Sequence, residues 1–434
     1  MNIRFYNARI LTMEEEKGKE ADLRPVFMGE LHVKDSKVAY VCEGKFIKTS
    51  EDKFDREIDC KGNLIMPGFK NAHTHSGMTA MRSYADGLPL QEWLETKIFP
   101  MEANMTGEDV KLLTKLAVLE YVSGGITACM DMYLTPYTIA DACVETGMKV
   151  VQVSGINKFG PSLEEFEDRF LKINGKSPLS KQLMGFHAEY TCEKGLLESL
   201  SDLAHKYKQP MYTHMSETKA EVDGCIERYG MTPPVFLDSL GLFDFGGGGY
   251  HLVHTTDEDI EVMKKRGLYV ISNPGSNTKL ASGIAPIKKY LDNGVTVALG
   301  TDGPSSNNCL DMFREMFLVT GLAKLRENDA SVVDGLEVLK MATKNGAKAM
   351  TLDDADVLAA GKEADLIVID LNQPNMQPLN DIARNIVYSG SKTNVKLTMI
   401  HGKIVFEDGK YDIGMEPEDI YKEANAIITK LKAM

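Results

Sequence analysis

Two histidines one residue apart, in Pro67-Gly-Phe-Lys-Asn-Ala-His73-Thr-His75, follow the apolar run Leu64-Ile-Met66. Side chains two apart on an extended chain share a face, so both imidazoles can aim at one point. A divalent ion needs that of its first two ligands. Alone, the spacing is as readily a chance His-x-His at a strand end. Three later stretches add to it: Thr213-His214-Met-Ser-Glu217, His251-Leu-Val-His254 and Leu299-Gly-Thr-Asp302-Gly303. Three imidazoles and one carboxylate suit a single borderline cation and leave one position for water. His73, His75, His214 and Asp302 are therefore assigned as metal ligands, with zinc first and iron, manganese or nickel compatible. Glu217 is placed to reach over the site as a proton carrier, and His254 to hydrogen-bond the water or a developing oxyanion. Each has a plainer reading: Glu217 as a helix cap, His187 as a core histidine, Asp302 as a turn residue. His251 is expected on the opposite strand face from its inward neighbour, in a structural role.

These residues need a scaffold that gathers distant segments. Between about 66 and 358 apolar strands alternate with helices. Strands are expected at 64–69, 126–132, 149–153, 183–186, 210–212, 250–253, 268–272 and 295–299, with helices between them, for example at 107–123, 193–208, 257–266, 284–293 and 308–325. Eight strand–helix units form a closed (β/α)8 TIM barrel, whose active sites lie where the strands end. An open doubly wound sheet is the runner-up, but its first strand would be followed by a Gly-rich fingerprint, which 67–75 is not. Five of the nine histidines (His73, His75, His187, His214 and His254) fall at expected strand ends, as does Asp302. Gly246-Gly-Gly-Gly249 precedes a strand and is read as a flexible turn, not a phosphate loop.

The flanks differ. Short strands at 3–10, 26–33 and 37–42, and again at 365–370, 386–388, 395–400 and 403–406, suit a small β-sandwich built from both chain ends. His401-Gly402 is its hairpin turn, and a packing helix closes the chain at 416–434. The resulting domains are 1–65, the first part of the sandwich; 66–358, the barrel; and 359–434, the second part with the helix.

Composition narrows the function classes. With 63 acidic against 49 basic residues the formal charge is -14, which disfavours nucleic acid. The N-terminus has no sustained apolar core and no apolar run is long enough to span a bilayer, so a cytoplasmic protein without a membrane partner is expected. Seven scattered cysteines contain no C-x-x-C pair, which argues against a disulfide framework, a thiolate zinc site and the cysteine-rich zinc deaminases. A small-molecule substrate fits, and a homo-oligomer is compatible.

Taken together, Pro-Gly-Phe-x-Asn-Ala-His73-Thr-His75, His214-x-x-Glu217, His251-x-Val-His254, Ser272-Asn-Pro-x-Ser276-Asn and Gly300-Thr-Asp302-Gly-x-x-Ser-Asn307 resemble the amidohydrolase superfamily. More narrowly the chain is similar to 5-methylthioadenosine/S-adenosylhomocysteine deaminases and their triazine-hydrolase and guanine-deaminase relatives. The likeness runs over nearly the whole chain, including Ala360-Gly-Lys-Glu-Ala-Asp365-Leu. It implies a barrel with a sandwich from both ends. It also implies one metal, since 183–191 lacks the lysine that bridges two in binuclear members.

The resemblance further implies substrate contacts. Leu90-Gln-Glu-Trp93-Leu and Phe99-Pro-Met-Glu102 would cover a nucleoside, with Trp93 against the base (or anchored in the core), Glu102 on the ribose and His187 near ribose or ring. Glu217 and Asp302 would also face the substrate. Members that accept S-adenosylhomocysteine carry arginines after the third strand, where this chain has Ser154 and Ser162 with only Lys158 between them. A bidentate carboxylate clamp is missing, which favours a substrate without that tail.

The reaction expected is hydrolytic deamination of an aminopurine nucleoside or related amino-heterocycle. Water activated at the ion attacks the amine-bearing carbon, Asp302 takes its proton, Glu217 protonates the ring nitrogen, and His254 stabilises the attacking oxygen. Dechlorination or amide-ring opening on the same site is the nearest rival, and a non-catalytic scaffold on this fold the rival from another class.

Overall fold

A computed structural model of the chain describes residues 1–16, 19–46, 53–133 and 135–434. Eight parallel strands stand side by side in chain order: β1 (Phe69–Thr74), β2 (Ile126–Tyr133), β3 (Lys149–Ser154), β4 (Ser180–Ala188), β5 (Met211–Met215), β6 (Gly247–His251), β7 (Tyr269–Ser272) and β8 (Val297–Leu299). β8 returns to β1, where the Asp302 amide donates to the His73 carbonyl at 2.9 Å and the Thr301 amide to Asn71 Oδ1 at 2.9 Å. The seam that closes the barrel thus runs beside two of the residues singled out for chemistry. Gly300 lies on it with no room for a side chain, since a Cβ there would come within 2.7 Å of the His73 amide nitrogen.

Alternation sorts the strand residues into two cores. Met130, Met132, Val151, Val153, Tyr212 and Tyr250 fill the barrel, and Ala349 and Met350 stop its lower end. The opposite faces pack under helices that include Gly107–Ser123, Lys194–Tyr207 and Met312–Glu327. Start signals are local. Thr106 and Asp109 form a reciprocal capping box, as do Thr256 and Asp259 at helix Asp257–Arg266.

Both chain ends enter one nine-stranded sheet. Leu64–Pro67 sits at its centre, parallel to Asn2–Ile10 on one side and antiparallel to Leu366–Ile369 on the other. The hairpin Val395–Ile400/Lys403–Glu407 turns through His401 and Gly402, both with positive φ, as expected of a two-residue turn. The closing helix Pro417–Lys432 packs on Gly107–Ser123, and Lys430 pairs with Asp109.

Three expectations need correction. The run at 64–69 is not one strand: Leu64–Pro67 pairs into the sheet of the chain ends, and the first barrel strand begins at Phe69. The Pro-Gly step separates the two. Residues 386–388 close a helix, Ile382–Tyr388, which Asp381 caps through the Arg384 amide. The tetraglycine is not a free turn, because Gly247, Gly248 and Gly249 pair with Met211, Tyr212 and Thr213 inside β6. A Cβ on Gly247 would lie 1.9 Å from the Met211 carbonyl oxygen, so glycine lets β6 approach β5 closely.

Candidate active site

The strand ends surround a cleft. β1 supplies His73, and His75 follows directly after it; each is fixed differently. His73 is wholly buried and stacks on Tyr250 of β6 at 3.7 Å between ring centroids. Among the described residues neither of its ring nitrogens has a hydrogen-bond partner, Nε2 lying 3.5 Å from Asp302 Oδ1. The Nδ1 of His75 meets the Met132 carbonyl at 2.5 Å, which turns its Nε2 to within 3.1 Å of Asp302 Oδ1. β5 supplies His214, whose Nδ1 meets the His187 carbonyl at 2.7 Å and whose other nitrogen is left for the cluster. Asp302 takes a left-handed backbone (φ 59°) just past β8. Its Oδ2 accepts from Ser276 at 2.6 Å and Ser306 at 2.8 Å, and its Oδ1 from the Gly303 amide at 2.7 Å.

Potential ligand atoms of His73, His214, His251 and Asp302 all lie within 4.8 Å of one another, with His75 adjoining through Asp302. Burial lowers His73 to about 3 and His214 well below the ordinary imidazole value, which leaves neutral lone pairs. For His75, burial is outweighed by Asp302, which lifts the imidazole to about 9; Asp302 is correspondingly held well below the carboxylate range against its own burial. A proton shared by such groups marks a place where a cation is welcome, and metal binding would release it. The unpartnered nitrogens of His73 and this donor set fit one divalent ion of the borderline class.

The structure overturns one pair of expectations. His251 faces the cleft and His254 does not. Continued alternation from Tyr250 would turn His251 away, but His251 (φ 73°) and Leu252 (φ 45°) both take positive φ, which breaks the period and swings the imidazole into the mouth. There its Nδ1 meets Asn277 Oδ1 at 2.7 Å, and its Nε2 lies 3.8 Å from Glu217 and 4.0 Å from Asp302. The Nε2 of His254 instead meets the Ser282 carbonyl at 2.8 Å, outside the cleft lining.

Glu217 lines the cleft, buried, with its Oε1 accepting from Ser282 Oγ at 3.0 Å. Burial raises its pKa, so its carboxyl is biased towards the protonated form. The loop over the cleft, through the short helical turns Leu90–Trp93, Leu94–Ile98 and Phe99–Glu102, presents Trp93 and Glu102 to it. Glu102 Oε1 has no hydrogen-bond partner although it is buried, and burial raises this carboxyl too. His187 lines the cleft from β4, pushed down to about 4 by burial, with its Nδ1 at 3.1 Å from Thr191 Oγ1. Ser154 ends β3 and Ser162 caps helix Leu163–Ile173; neither lines the cleft. Among the described residues no Lys or Arg does, and Lys158 lies over the ring of its neighbour Phe159.

Sequence reasoning missed Ser276, Asn277 and Ser282, which hold Asp302, His251 and Glu217. Ser276 and Asn277 were visible as part of a motif; nothing in the sequence distinguishes Ser282. It also missed Glu221, whose position three residues after Thr218 matches a capping signature.

Comparison with known proteins agrees with the architecture. Residues 64–405 match the model of the amidohydrolase family. A 5-methylthioadenosine/S-adenosylhomocysteine deaminase of Caldanaerobacter subterraneus subsp. tengcongensis is 38% identical over 415 residues, 94% of this chain and 93% of that one. One of Clostridium tetani is 38% identical over 418 residues, 95% of each. Among solved structures, an adenosine deaminase from Xanthomonas campestris with bound zinc superposes with a TM-score of 0.91 at 29% identity, covering 100% of this chain and 98% of that one. The zinc complex of atrazine chlorohydrolase from Arthrobacter aurescens TC1, at 21% identity and TM-score 0.87 over 98% of this chain and 100% of that one, shares the fold. With the family model covering the barrel and most of the second sheet half, and relatives matched nearly end to end, the chain belongs to the amidohydrolase family.

Proposed function

We propose that this chain hydrolytically deaminates an aminopurine nucleoside, with one zinc ion held by His73, His75, His214 and Asp302. The reading rests on one observation above the rest: buried Glu217 lines an aromatic-walled cleft together with His75, His214, His251 and Asp302, and the His73 imidazole, without a hydrogen-bond partner among the described residues, lies within ligand distance of His214, His251 and Asp302. Relatives named as 5-methylthioadenosine/S-adenosylhomocysteine deaminases support the substrate class. When bound, the cation supplies Lewis acidity that brings the ionisation of water towards neutral pH. Asp302 accepts the proton of the attacking water, its orientation fixed by Ser276 and Ser306. Glu217 delivers a proton to the ring nitrogen next to the carbon under attack, which readies the ring for addition. His251, in the part first expected of His254, donates from Nδ1 to Asn277 Oδ1 and turns Nε2 to the attacking oxygen, to which Nε2 donates once both ring nitrogens carry a proton. Trp93 covers the base and Glu102 and His187 hold the ribose. With no Lys or Arg in the described lining, an uncharged 5′ substituent is preferred over one ending in a carboxylate.

Ammonia release from metal-loaded protein is the test, with 5-methylthioadenosine, adenosine, S-adenosylhomocysteine, guanine and a chlorotriazine as substrates. Turnover of the nucleosides is expected, fastest without the amino-acid tail; turnover of none of them refutes the reading. A second ligand set, with His251 in place of His75, is favoured by the 4.8 Å clustering of His251 with His73, His214 and Asp302. Metal content of His75→Ala and His251→Ala separates the two, since the true ligand is the one whose loss empties the site.

A further inference from the structure

Glu221 lies outside the cleft lining, yet both of its carboxylate oxygens are engaged at the turn that carries Glu217. Oε1 accepts from the Ser216 amide at 2.7 Å and Oε2 from the Glu217 amide at 2.8 Å. Ser216 takes a positive φ of 53°, a conformation that a serine adopts only when its surroundings hold it there. The carbonyl of the same residue accepts from the Val253 and His254 amides, both at 3.0 Å, which ties the exit of β5 to the exit of β6. Glu221 is itself anchored: it is buried in the first turn of helix Lys219–Tyr229, and its amide donates to the Thr218 hydroxyl at 3.2 Å. Two consecutive amides aimed at one buried carboxylate fix the plane of the peptide between them, and with it the direction in which the Glu217 side chain leaves the backbone.

From this geometry we infer that Glu221 is a positioning residue, which holds Glu217 over the cleft and sets its place relative to His251. The inference rests on the reading of Glu217 as the proton carrier. In Glu221→Gln one oxygen becomes an N–H donor facing a backbone N–H, so one of the two amides loses its acceptor. The helix keeps its Thr218 cap. The Glu217 carboxyl then leaves its contact with Ser282, while the residues assigned to the metal stay in place: His73, His75 and Asp302 are held from other strands, and His214, on β5 itself, by the contact of its Nδ1 with the His187 carbonyl.

Full-length, metal-loaded protein carries the test, with Glu221→Asp as a second variant should Glu221→Gln fail to fold. Asp keeps the charge but withdraws both oxygens by a methylene. The expected result is a kcat lowered by up to about 100-fold, the scale of a 1 Å misplacement of a reacting group, with KM and metal content near wild type. In a Glu217→Gln background the same change should add no further loss, because there is no proton carrier left to misplace. Equal losses in both backgrounds, or an unaltered kcat, would overturn the inference. A crystal structure of the variant gives an answer that does not need the substrate: the 3.0 Å contact of Glu217 with Ser282 should be lost, and its persistence refutes the positioning role even if no aminopurine nucleoside is turned over.

Discussion

At the lower end of the barrel the Lys149 ammonium, buried at the start of β3, donates to both Glu363 and Asp365, and Asp365 also accepts from the His401 amide. Lys70 beside it donates to the Gly68 carbonyl at 3.0 Å and to Thr127 at 2.8 Å. At the upper end His73 is equally buried, and among the described residues both its nitrogens and one oxygen of Glu102 are without a hydrogen bond. Buried polar groups are rarely left without partners, and an orphan in a well-packed interior calls for an explanation. The lower cluster satisfies itself and joins the barrel to the sheet of the chain ends. On the proposed function, the upper cluster is completed from outside, by an ion and a substrate.

That contrast can be broken at either end. The largest effect is expected from His214→Ala, which removes a donor from the unsatisfied end: metal content and turnover should both fall to background. In the same experiment, added metal should no longer raise the melting temperature, whereas at 1,000 times Kd it stabilises a competent site by about 4 kcal/mol. Glu217→Gln should keep its metal and lose about 10²- to 10⁴-fold in kcat, the usual share of a general acid. Next in size is the split between the β6 histidines. His251→Ala should lower kcat by about 10²-fold, as removal of one oxyanion donor does, while His254→Ala stays near wild type in steady-state kinetics. Comparable losses in both would mean that both imidazoles serve the reaction.

The smallest effect on turnover is expected at the lower end. Lys149→Met should leave kcat and metal content unaltered and destabilise by about 3–5 kcal/mol in denaturant unfolding, because Asp365 remains buried without its cation and the half-buried Glu363 keeps only Lys37 and His401. A pH titration of wild-type stability sharpens the point. Against burial, Lys149 holds Glu363 and Asp365 below their ordinary values of 4.5 and 3.8. The unfolded chain therefore binds more protons in that range. Their contribution is full above those values and is lost as pH falls through the depressed folded ones, and in the Lys149 variant this acid-sensitive part should shrink.

Much of the upper end was legible because regular strands obey a simple rule. His73 and His75 sit where extended spacing puts them, and His214 and Asp302 close the other strands as the eight-unit repeat requires. What failed were the places where backbone leaves the rule. A positive φ at His251 reverses a side chain that alternation sends outward, and no residue type at 251 or 252 announces it. The glycines of β6 looked like a turn because their lack of side chains signals flexibility locally, whereas the need for close approach to Met211 exists only once β5 is beside them. Leu64–Pro67 merged with β1 because both are apolar; only the partner strand Leu366–Ile369, far along the chain, separates them. Ser282 and Glu221 act on Glu217 through contacts that tertiary folding creates.

The bond from the Asp302 amide to the His73 carbonyl carries a further consequence for how the molecule is made. A polypeptide leaving the ribosome exposes its first stave long before its last. In the metal site proposed above, unfinished copies would lack one of the four ligands, and an ion held by side chains on either side of that join would act as the clasp that keeps the cask shut.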